Sequence, residues 1–253
     1  LSTYPPRECG IATFCQDVSK SISKRYSPNI KTKIAAMNRN TVNIYNYPKK
    51  VILQIDDSDI NSYIEAAKKI NELKKVKAVS VQHEFGIFGG EYGSYLIAFL
   101  ESLEKPCILT LHSVISDPNP ALKKVVEALA EKSTAFMVMT KKGRKILRED
   151  YNLTNNIYVV PHGVPTVEFE SPMIEKKKLG FKDKIVLTSF GLISPGKGYE
   201  YIIDALPEVV KKHPNLLYII VGETHPVVRK NEGEKYRNEL EQKVKDLGLS
   251  KNV

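Results

Sequence analysis

The segment GLISPGKG at Gly191–Gly198 constrains the fold most, because it joins an apolar run to a helical pattern. The apolar run IVLTSF spans 185–190, and YEYIIDALPEVV over 199–210 repeats apolar residues at helical spacing. A glycine-rich turn between a strand and a helix directs backbone N–H groups and the positive end of the helix dipole at one point. Lys197 adds a full positive charge there. The sequence therefore predicts an α/β unit that binds a nucleotide or diphosphate.

The same spacing matches the phosphate loop GxxxxGK[ST] of ATPases at every position except the last. Gly198 stands where that loop has Ser or Thr, whose hydroxyl binds magnesium. Downstream, LLYIIVGE runs into Gly222 and Glu223 instead of ending in a second magnesium-binding Asp. A P-loop-like NTPase is thus an alternative that lacks a metal ligand. A plain glycine turn that closes a strand-to-helix connection is another alternative.

Composition narrows the class of protein further. No run approaches roughly 18 uninterrupted apolar residues, and the start has neither region of a secretion signal. Cys9, Cys15 and Cys107 show no CxxC spacing and no cluster with histidine, so we expect free thiols in a cytoplasmic protein. The net charge of +9 comes without the aromatic interleaving of a nucleic-acid reader. We expect no nucleic-acid partner, and at most peripheral contact with an anionic membrane.

Short apolar runs alternate with longer amphipathic stretches, which is typical of parallel strands joined by helices. This alternation predicts one doubly wound, Rossmann-like domain over 1–165. The apolar runs span 32–37, 51–55, 78–82, 107–111, 135–139 and 157–160, and the predicted helices span 12–26, 58–74, 91–104, 119–132 and 140–150.

A second domain is expected after a change of texture at Pro161. The turn-prone, charged sequence over 166–183 predicts an interdomain crossing. Strand and helix signals then resume and predict the first half of a second Rossmann-like domain over 184–253. We therefore expect a piece of a longer protein, in which Leu1–Thr3 is the tail of a strand. The signals are apolar runs at 185–190 and 216–221 and helical patterns near 199–212 and 233–247.

Several chemistry-bearing residues lie at the predicted carboxyl ends of strands, where open α/β sheets bind ligands. His112 follows CILTL, so its imidazole either binds a sugar hydroxyl or phosphate or caps the next turn. His83 and Glu84 follow another apolar run. The Glu84 carboxylate either orients an acceptor hydroxyl or accepts a structural hydrogen bond from the GIFGG turn. Two facing sheets would direct these residues, with Gly10, Gly191 and Lys197, into one cleft.

The turn before the first predicted helix carries two further candidates. Gly10 either lets the backbone approach a bulky ligand or supplies a positive φ in a tight turn. Arg7 either adds a cationic contact or faces solvent.

Five segments in order resemble the retaining glycosyltransferases of family four, which have the GT-B fold. They are YPPRECGIATF (4–14), VQHEFGIFGG (81–90), LTLHS (109–113), VVPHGV (159–164), and FGLISPGKG (190–198) together with IIVGETHP (219–226). The resemblance covers nearly the whole chain. It implies two Rossmann-like, doubly wound parallel-sheet domains, of which the second is truncated.

The resemblance also implies an activity. A hexose, of the mannose or glucose type, moves from a nucleoside diphosphate sugar to a hydroxyl of a carbohydrate or lipid-linked acceptor, with retention of configuration. The donor is a substrate, and no cofactor or metal is required. His112, near the sugar, and Lys197, on the donor diphosphate, are the expected catalytic residues. The expected donor-binding residues are Gly10, Gly191, Gly196, Lys197, Gly198, Gly222 and Glu223, and the expected acceptor-binding residues are Arg7, His83 and Glu84.

One position departs from the family pattern. Leu192 stands where the family has an arginine, so a noncatalytic nucleotide- or sugar-binding module is an alternative unless Arg229 or Lys230 supplies the charge. A sugar epimerase or phosphorylase of the same fold is a nearer alternative. His225 either touches the donor or caps the turn before Pro226. The family's acidic motif on the donor sugar is expected beyond Val253, so we expect these 253 residues alone to be inactive or nearly so.

Overall fold

The computed structural model describes residues 1–39, 45–154, 156–164 and 166–253, and the chain forms two compact units. Unit 1 spans Leu1–Val164 and unit 2 spans Pro165–Val253. Each unit contains its own cluster of buried apolar side chains. Among the helices of the described ranges, none is long and apolar enough to cross a membrane.

Unit 1 alternates strands and helices as the sequence predicts. The predicted helix over 91–104 begins later, at Tyr95, because Gly90, Tyr92 and Gly93 before it have positive φ angles of 77°, 52° and 80°. Its strands are β1 (Ile34–Asn38), β2 (Val51–Asp56), β3 (Val79–His83), β4 (Cys107–Leu111), β5 (Ala135–Val138) and β6 (Ile157–Val159), and its helices are α1 (Gly10–Tyr26), α2 (Ile60–Glu72), α3 (Tyr95–Ser102), α4 (Pro120–Lys132) and α5 (Lys141–Glu149).

The segment Leu1–Ser2 connects two groups of parallel strands. β1 pairs with β2, and β3, β4, β5 and β6 pair in that order, all in parallel. Ser2 pairs in parallel with Ala36 of β1, and the Leu1 carbonyl accepts a 3.0 Å hydrogen bond from the Gln82 amide of β3. Leu1–Ser2 therefore lies between β1 and β3. The expectation that the chain starts on a strand tail agrees with this position.

Helices cover both faces of this sheet, as in a doubly wound fold. The side chains of successive β1 residues point to opposite faces of the sheet, because side chains alternate along a strand. Ala35 and Met37 belong to the large cluster packed by α2, α3 and α4, whereas Ile34 and Ala36 pack with Cys15 of α1. β1 is therefore buried on both sides, and the carboxyl edge of the sheet is where side chains can meet a ligand.

Unit 2 is a smaller α/β unit built around one pair of strands. β7 and β8 pair in parallel along their whole length, and α7 connects them. The sequence predicts α7 with these bounds, and the helix predicted near 233–247 is found at Lys235–Asp246. Pro226–Glu232 is a further helix that the sequence does not predict, and Gly233, which has a φ of 65°, separates the two. The elements are α6 (Pro172–Lys178), β7 (Ile185–Phe190), α7 (Tyr199–Lys212), β8 (Leu216–Val221), α8 (Pro226–Glu232) and α9 (Lys235–Asp246).

The loop after β3 offers a direct test of the packing in unit 1. A Cβ atom at Gly89 would lie 1.7 Å from the Asp57 carbonyl oxygen, whereas a Cβ atom at Gly86 would meet no atom within 4 Å. We expect Gly89→Ala to lower the free energy of unfolding by about 3 kcal/mol, because the backbone must shift. We expect Gly86→Ala to change it by no more than about 1 kcal/mol. Urea unfolding measures both, and equal stabilities would contradict this packing.

Candidate functional site

The two histidines at the carboxyl edge of unit 1 lie on opposite faces of the sheet. Gln82 pairs with Thr110 and His83 pairs with Leu111 in the register of β3 and β4. The His112 amide donates to the His83 carbonyl at 2.9 Å, which continues the strand pairing by one residue. Because side chains alternate, His112 shares its face with Gln82, and His83 points to the other face.

His112 is held at this edge by two side chains. Its Nε2 lies 3.0 Å from Gln82 Oε1, and the edge of the Phe14 ring packs against the imidazole with 4.7 Å between centroids. Burial and, to a smaller extent, the nearby His162 lower the pKa of His112 to about 4. The ring is therefore neutral at physiological pH, so it offers hydrogen bonds and no positive charge.

A cavity of about 300 Å³ opens beside His112. It lies between the ends of β4 and β5 and the start of α5, and its polar lining includes Ser116, Thr140 and Lys142. Thr140 already caps α5, because its Oγ1 accepts a 2.9 Å hydrogen bond from the Gly143 amide. Among the sequence-predicted site residues, His112 alone lines this cavity. A volume of this size suits a small ligand.

His83 lies in the core of unit 1. Its side chain has no exposed surface, stacks on Phe88 at 5.5 Å and meets the edge of Phe85 at 5.1 Å. Neither ring nitrogen has a hydrogen-bond partner in the described part of the chain. Burial, followed by the neighbouring His112, lowers the pKa of His83 to about 4. The structure keeps this ring away from the open edge, so its role as an acceptor contact stays a prediction.

Glu84 accepts structural hydrogen bonds, but from Phe85 and Ser113 and not from the GIFGG turn that the sequence suggested. One carboxylate oxygen accepts from the Phe85 amide at 3.1 Å, and the other accepts from the Ser113 hydroxyl at 2.6 Å. The carboxylate thereby ties the loop after β3 to the residue that follows His112. Its second predicted role, orienting an acceptor hydroxyl, stays a prediction.

Arg7 and Gly10 flank the start of α1. Arg7 is buried, and its Nη1 donates a 3.1 Å hydrogen bond to the Met37 carbonyl at the end of β1, so it does not face solvent. Gly10 is exposed at the first position of α1, and a Cβ atom there would meet nothing within 4 Å. Open space beside Gly10 leaves room for a ligand to approach the backbone.

In unit 2, the two predicted donor-binding turns contact each other at the carboxyl edge of β7 and β8. A Cβ atom on Gly222 would lie 1.9 Å from the Gly191 carbonyl oxygen. The Ile193 amide donates to the Glu223 carbonyl at 2.8 Å, and the His225 amide donates to the Ile193 carbonyl at 2.8 Å. These bonds fix the path of both turns.

The start of α7 has the geometry of an anion site. Gly196 and Gly198 have φ angles of 84° and 79°, and Gly198 takes the N-cap position with no side chain to accept from the first turn. The Lys197 amide donates to the Ser194 carbonyl at 3.3 Å, whereas the exposed Lys197 side chain makes no hydrogen bond or ion pair with the described residues. Uncapped amides, the helix dipole and an unpaired ammonium group therefore coincide.

The charges after β8 are paired with one another. Arg229 contacts Glu234 at 2.7 Å and Glu223 at 3.4 Å. The hydroxyl of Thr224 also donates to Glu234. Arg229 is therefore already paired with carboxylates and supplies no free cation beside Leu192, which is 40% exposed.

His225 takes the simpler of its two predicted roles. Its Nδ1 accepts a 3.2 Å hydrogen bond from the Val227 amide and so caps α8. Sequence reasoning missed Gln82 and Phe14, the two side chains that hold His112. The two-residue alternation along β3 could have placed Gln82 on the face of His112, but Phe14 is brought there only by the fold.

We next consider the side chains of the described ranges that could bind a metal ion or act as reactive thiols. No group of three or more His, Cys, Asp or Glu side chains there is placed to hold a metal ion. Cys9, Cys15 and Cys107 are free; Cys15 and Cys107 are buried, and Cys9 caps α1 by accepting from the Ala12 amide at 3.3 Å.

A family model matches one segment of the chain, whereas solved structures share the fold over most of it. Residues 172–253 match the family model described as glycosyl transferases group 1. An uncharacterized glycosyltransferase of Methanocaldococcus jannaschii is 26% identical over 123 residues, which is 47% of this chain and 28% of that protein.

Solved structures share the fold at low sequence identity. HepE of Anabaena, solved with UDP, has a TM-score of 0.60 and 17% identity over 79% of this chain and 54% of its own; it has also been solved with UDP-glucose. A glycosyltransferase of Rickettsia africae has a TM-score of 0.58 and 17% identity, covering 81% and 54%. The chain thus spans about half the length of these structures. The predicted GT-B type α/β fold is confirmed.

The buried, neutral His83 predicts a dependence of stability on pH. The pKa is about 6.5 when unfolded and about 4 when folded, so the unfolded chain binds more protons between these values. Its contribution is therefore fully present above pH 6.5 and is lost as the pH falls towards 4. We expect His83→Leu to flatten this loss and to stabilise the protein at pH 7 by about 1 kcal/mol, because unpaired polar groups leave the core.

Urea unfolding at pH 7, 6 and 5 tests this expectation. His213→Asn, a change at an exposed histidine of unit 2, is the control and should keep the wild-type slope. An unchanged slope in His83→Leu would show that His83 is not held neutral.

Proposed function

We propose that this protein is a GT-B glycosyltransferase that moves a sugar from a nucleoside diphosphate sugar to a hydroxyl acceptor. The observation that carries the proposal is the anion-site geometry at Gly191–Gly198, which lies within the segment that matches glycosyl transferases group 1. The UDP and UDP-glucose complexes of the Anabaena neighbour support a nucleotide-sugar donor.

The donor end of the reaction belongs to the start of α7. Negative charge builds on the nucleoside diphosphate as it leaves, and the sugar becomes positively charged in character. The Lys197 ammonium group, the amides after Gly198 and the helix dipole stabilise that charge. Each preorganised donor contributes on the order of a few kcal/mol to lowering the barrier. We propose that these groups are sufficient for transfer without an added metal ion.

The sugar end of the reaction belongs to His112 and its cavity. A neutral imidazole binds a sugar hydroxyl by a hydrogen bond and leaves proton transfer at neutral pH to other groups. We infer transfer of a hexose, of the mannose or glucose type, with retention through same-face attack assisted by the leaving phosphate. Both oxygens of Glu84, the carboxylate at this edge, already accept structural hydrogen bonds, which argues against Glu84 as a nucleophile.

The acceptor and the compartment complete the proposal. We propose a hydroxyl of a carbohydrate or lipid-linked acceptor. We place the protein in the cytoplasm, where free thiols such as Cys15 and Cys107 stay reduced.

Lys197→Ala tests the donor end, with Lys212→Ala at the opposite end of α7 as the matched control. We expect Lys197→Ala to lower kcat/KM by about 100-fold, because a cation that stabilises the leaving group is lost. Lys212→Ala should stay within about twofold of wild type, because Lys212 lies a whole helix away from the site. The assay follows release of UDP or GDP from UDP-glucose and GDP-mannose, with and without EDTA, in the full-length protein that contains this chain.

Other outcomes identify the alternatives when ATP is included in the same assay as a third substrate. EDTA-sensitive hydrolysis of ATP would replace the proposal with a P-loop-like NTPase. Nucleotide binding without sugar release would replace it with a noncatalytic binding module. Calorimetry of UDP with the 253-residue chain separates binding from turnover.

A further inference from the structure

Gln82 is a buried polar residue whose side chain is fully committed. It is 4% exposed, and its backbone is held in β3 by the hydrogen bond to Leu1. Its Nε2 donates to Ser80 Oγ at 3.2 Å, and its Oε1 lies 3.0 Å from His112 Nε2. A buried amide costs stability unless both its NH₂ group and its oxygen have hydrogen-bond partners. The position of Gln82 Oε1 therefore determines whether His112 Nε2 donates or accepts.

An amide oxygen can only accept a hydrogen bond. A neutral His112 facing Gln82 Oε1 must therefore carry its proton on Nε2, which leaves a lone pair on Nδ1. Nδ1 has no hydrogen-bond partner within the described ranges. We propose that Gln82 is a positioning residue that holds His112 in the Nε2–H tautomer, so that Nδ1 accepts a hydrogen bond from a ligand hydroxyl.

The surroundings of the ring support a single orientation. Phe14 packs edge-on against His112 at an interplanar angle of 88°, and the His112 amide is bonded to His83. The titratable groups near the ring are His83, His162, Lys142 in the cavity lining, and Glu84 directly after β3. The Glu84 carboxylate accepts from Phe85 and Ser113 and not from His112, so the amide of Gln82 is the acceptor that sets the tautomer.

The chemistry of the ligand follows from the tautomer. A lone pair on Nδ1 attracts a hydroxyl donor and repels a phosphate oxygen. The group that His112 binds is therefore a sugar or acceptor hydroxyl, and the diphosphate belongs to the start of α7. This assignment of the ligand rests on the proposed function, whereas the tautomer does not.

Nuclear magnetic resonance of the 253-residue chain with ¹⁵N-labelled histidine tests the tautomer directly. The His112 signals are assigned by comparison with His112→Asn. We expect the Nε2–H form in the wild type and in Ser80→Ala, the control that removes only the other contact of Gln82. We expect a mixture of tautomers in Gln82→Met, which keeps the size of the side chain but removes the acceptor.

A pH titration adds a readout that a merely structural role would not change. We expect Gln82→Glu to keep the Nε2–H form and to raise the pKa of His112 by at least one unit, because a carboxylate stabilises the imidazolium. An Nδ1–H form in the wild type would overturn the proposal, even where a variant fails to fold. So would a Gln82→Met spectrum with the wild-type tautomer.

Turnover separates this proposal from the proposed function. In the full-length protein we expect Gln82→Met to lower kcat about tenfold, and the double variant with His112→Asn to lose no more than His112→Asn alone. Wild-type protein without transferase activity would end the proposed function but leave the tautomer result standing. Additive losses in the double variant would show that Gln82 acts apart from His112.

Discussion

The hydrogen bonds of Leu1–Ser2 are the constraint on which unit 1 depends. This short segment pairs with β1 on one side and with β3 on the other, so it joins a pair of strands to a group of four. Parallel pairing then gives every strand the same carboxyl edge. Arg7, Glu84 and His112 lie far apart in the sequence but all lie at this edge of unit 1.

The alternation of side chains along these strands decides which edge residues can meet a ligand. One residue separates Gln82 from His83, yet the first faces His112 and the second is enclosed by two phenylalanine rings. Both histidines stay neutral because burial disfavours the charged form. Only His112 combines that neutrality with a cavity.

Local patterns in the sequence explain what could be predicted. The strands β4 and β7 and the helix α7 were predictable because apolar spacing and a glycine turn are local signals. The later start of α3 was not, because it depends on positive φ angles at three positions of the preceding turn, Gly90, Tyr92 and Gly93. The contact of Arg7 with Met37 was not predictable either, because it joins residues 30 apart that only the sheet brings together. The positions of residues at predicted strand ends identified candidate site residues. The register of the strands was needed to decide which of them face a ligand and which face the core.

The contact between Gly191 and Gly222 changes how a glycine in a predicted ligand-binding turn should be interpreted. No side chain fits at position 222, because the neighbouring turn already occupies that space. Glycine there would be required by the backbone of unit 2 even in a protein that had lost its ligand. The glycines at 196 and 198 have no such backbone neighbour, and it is their φ angles of 84° and 79° that favour glycine there. A residue that tolerates a positive φ, such as asparagine, therefore tests for the anion at those two positions and not at 222.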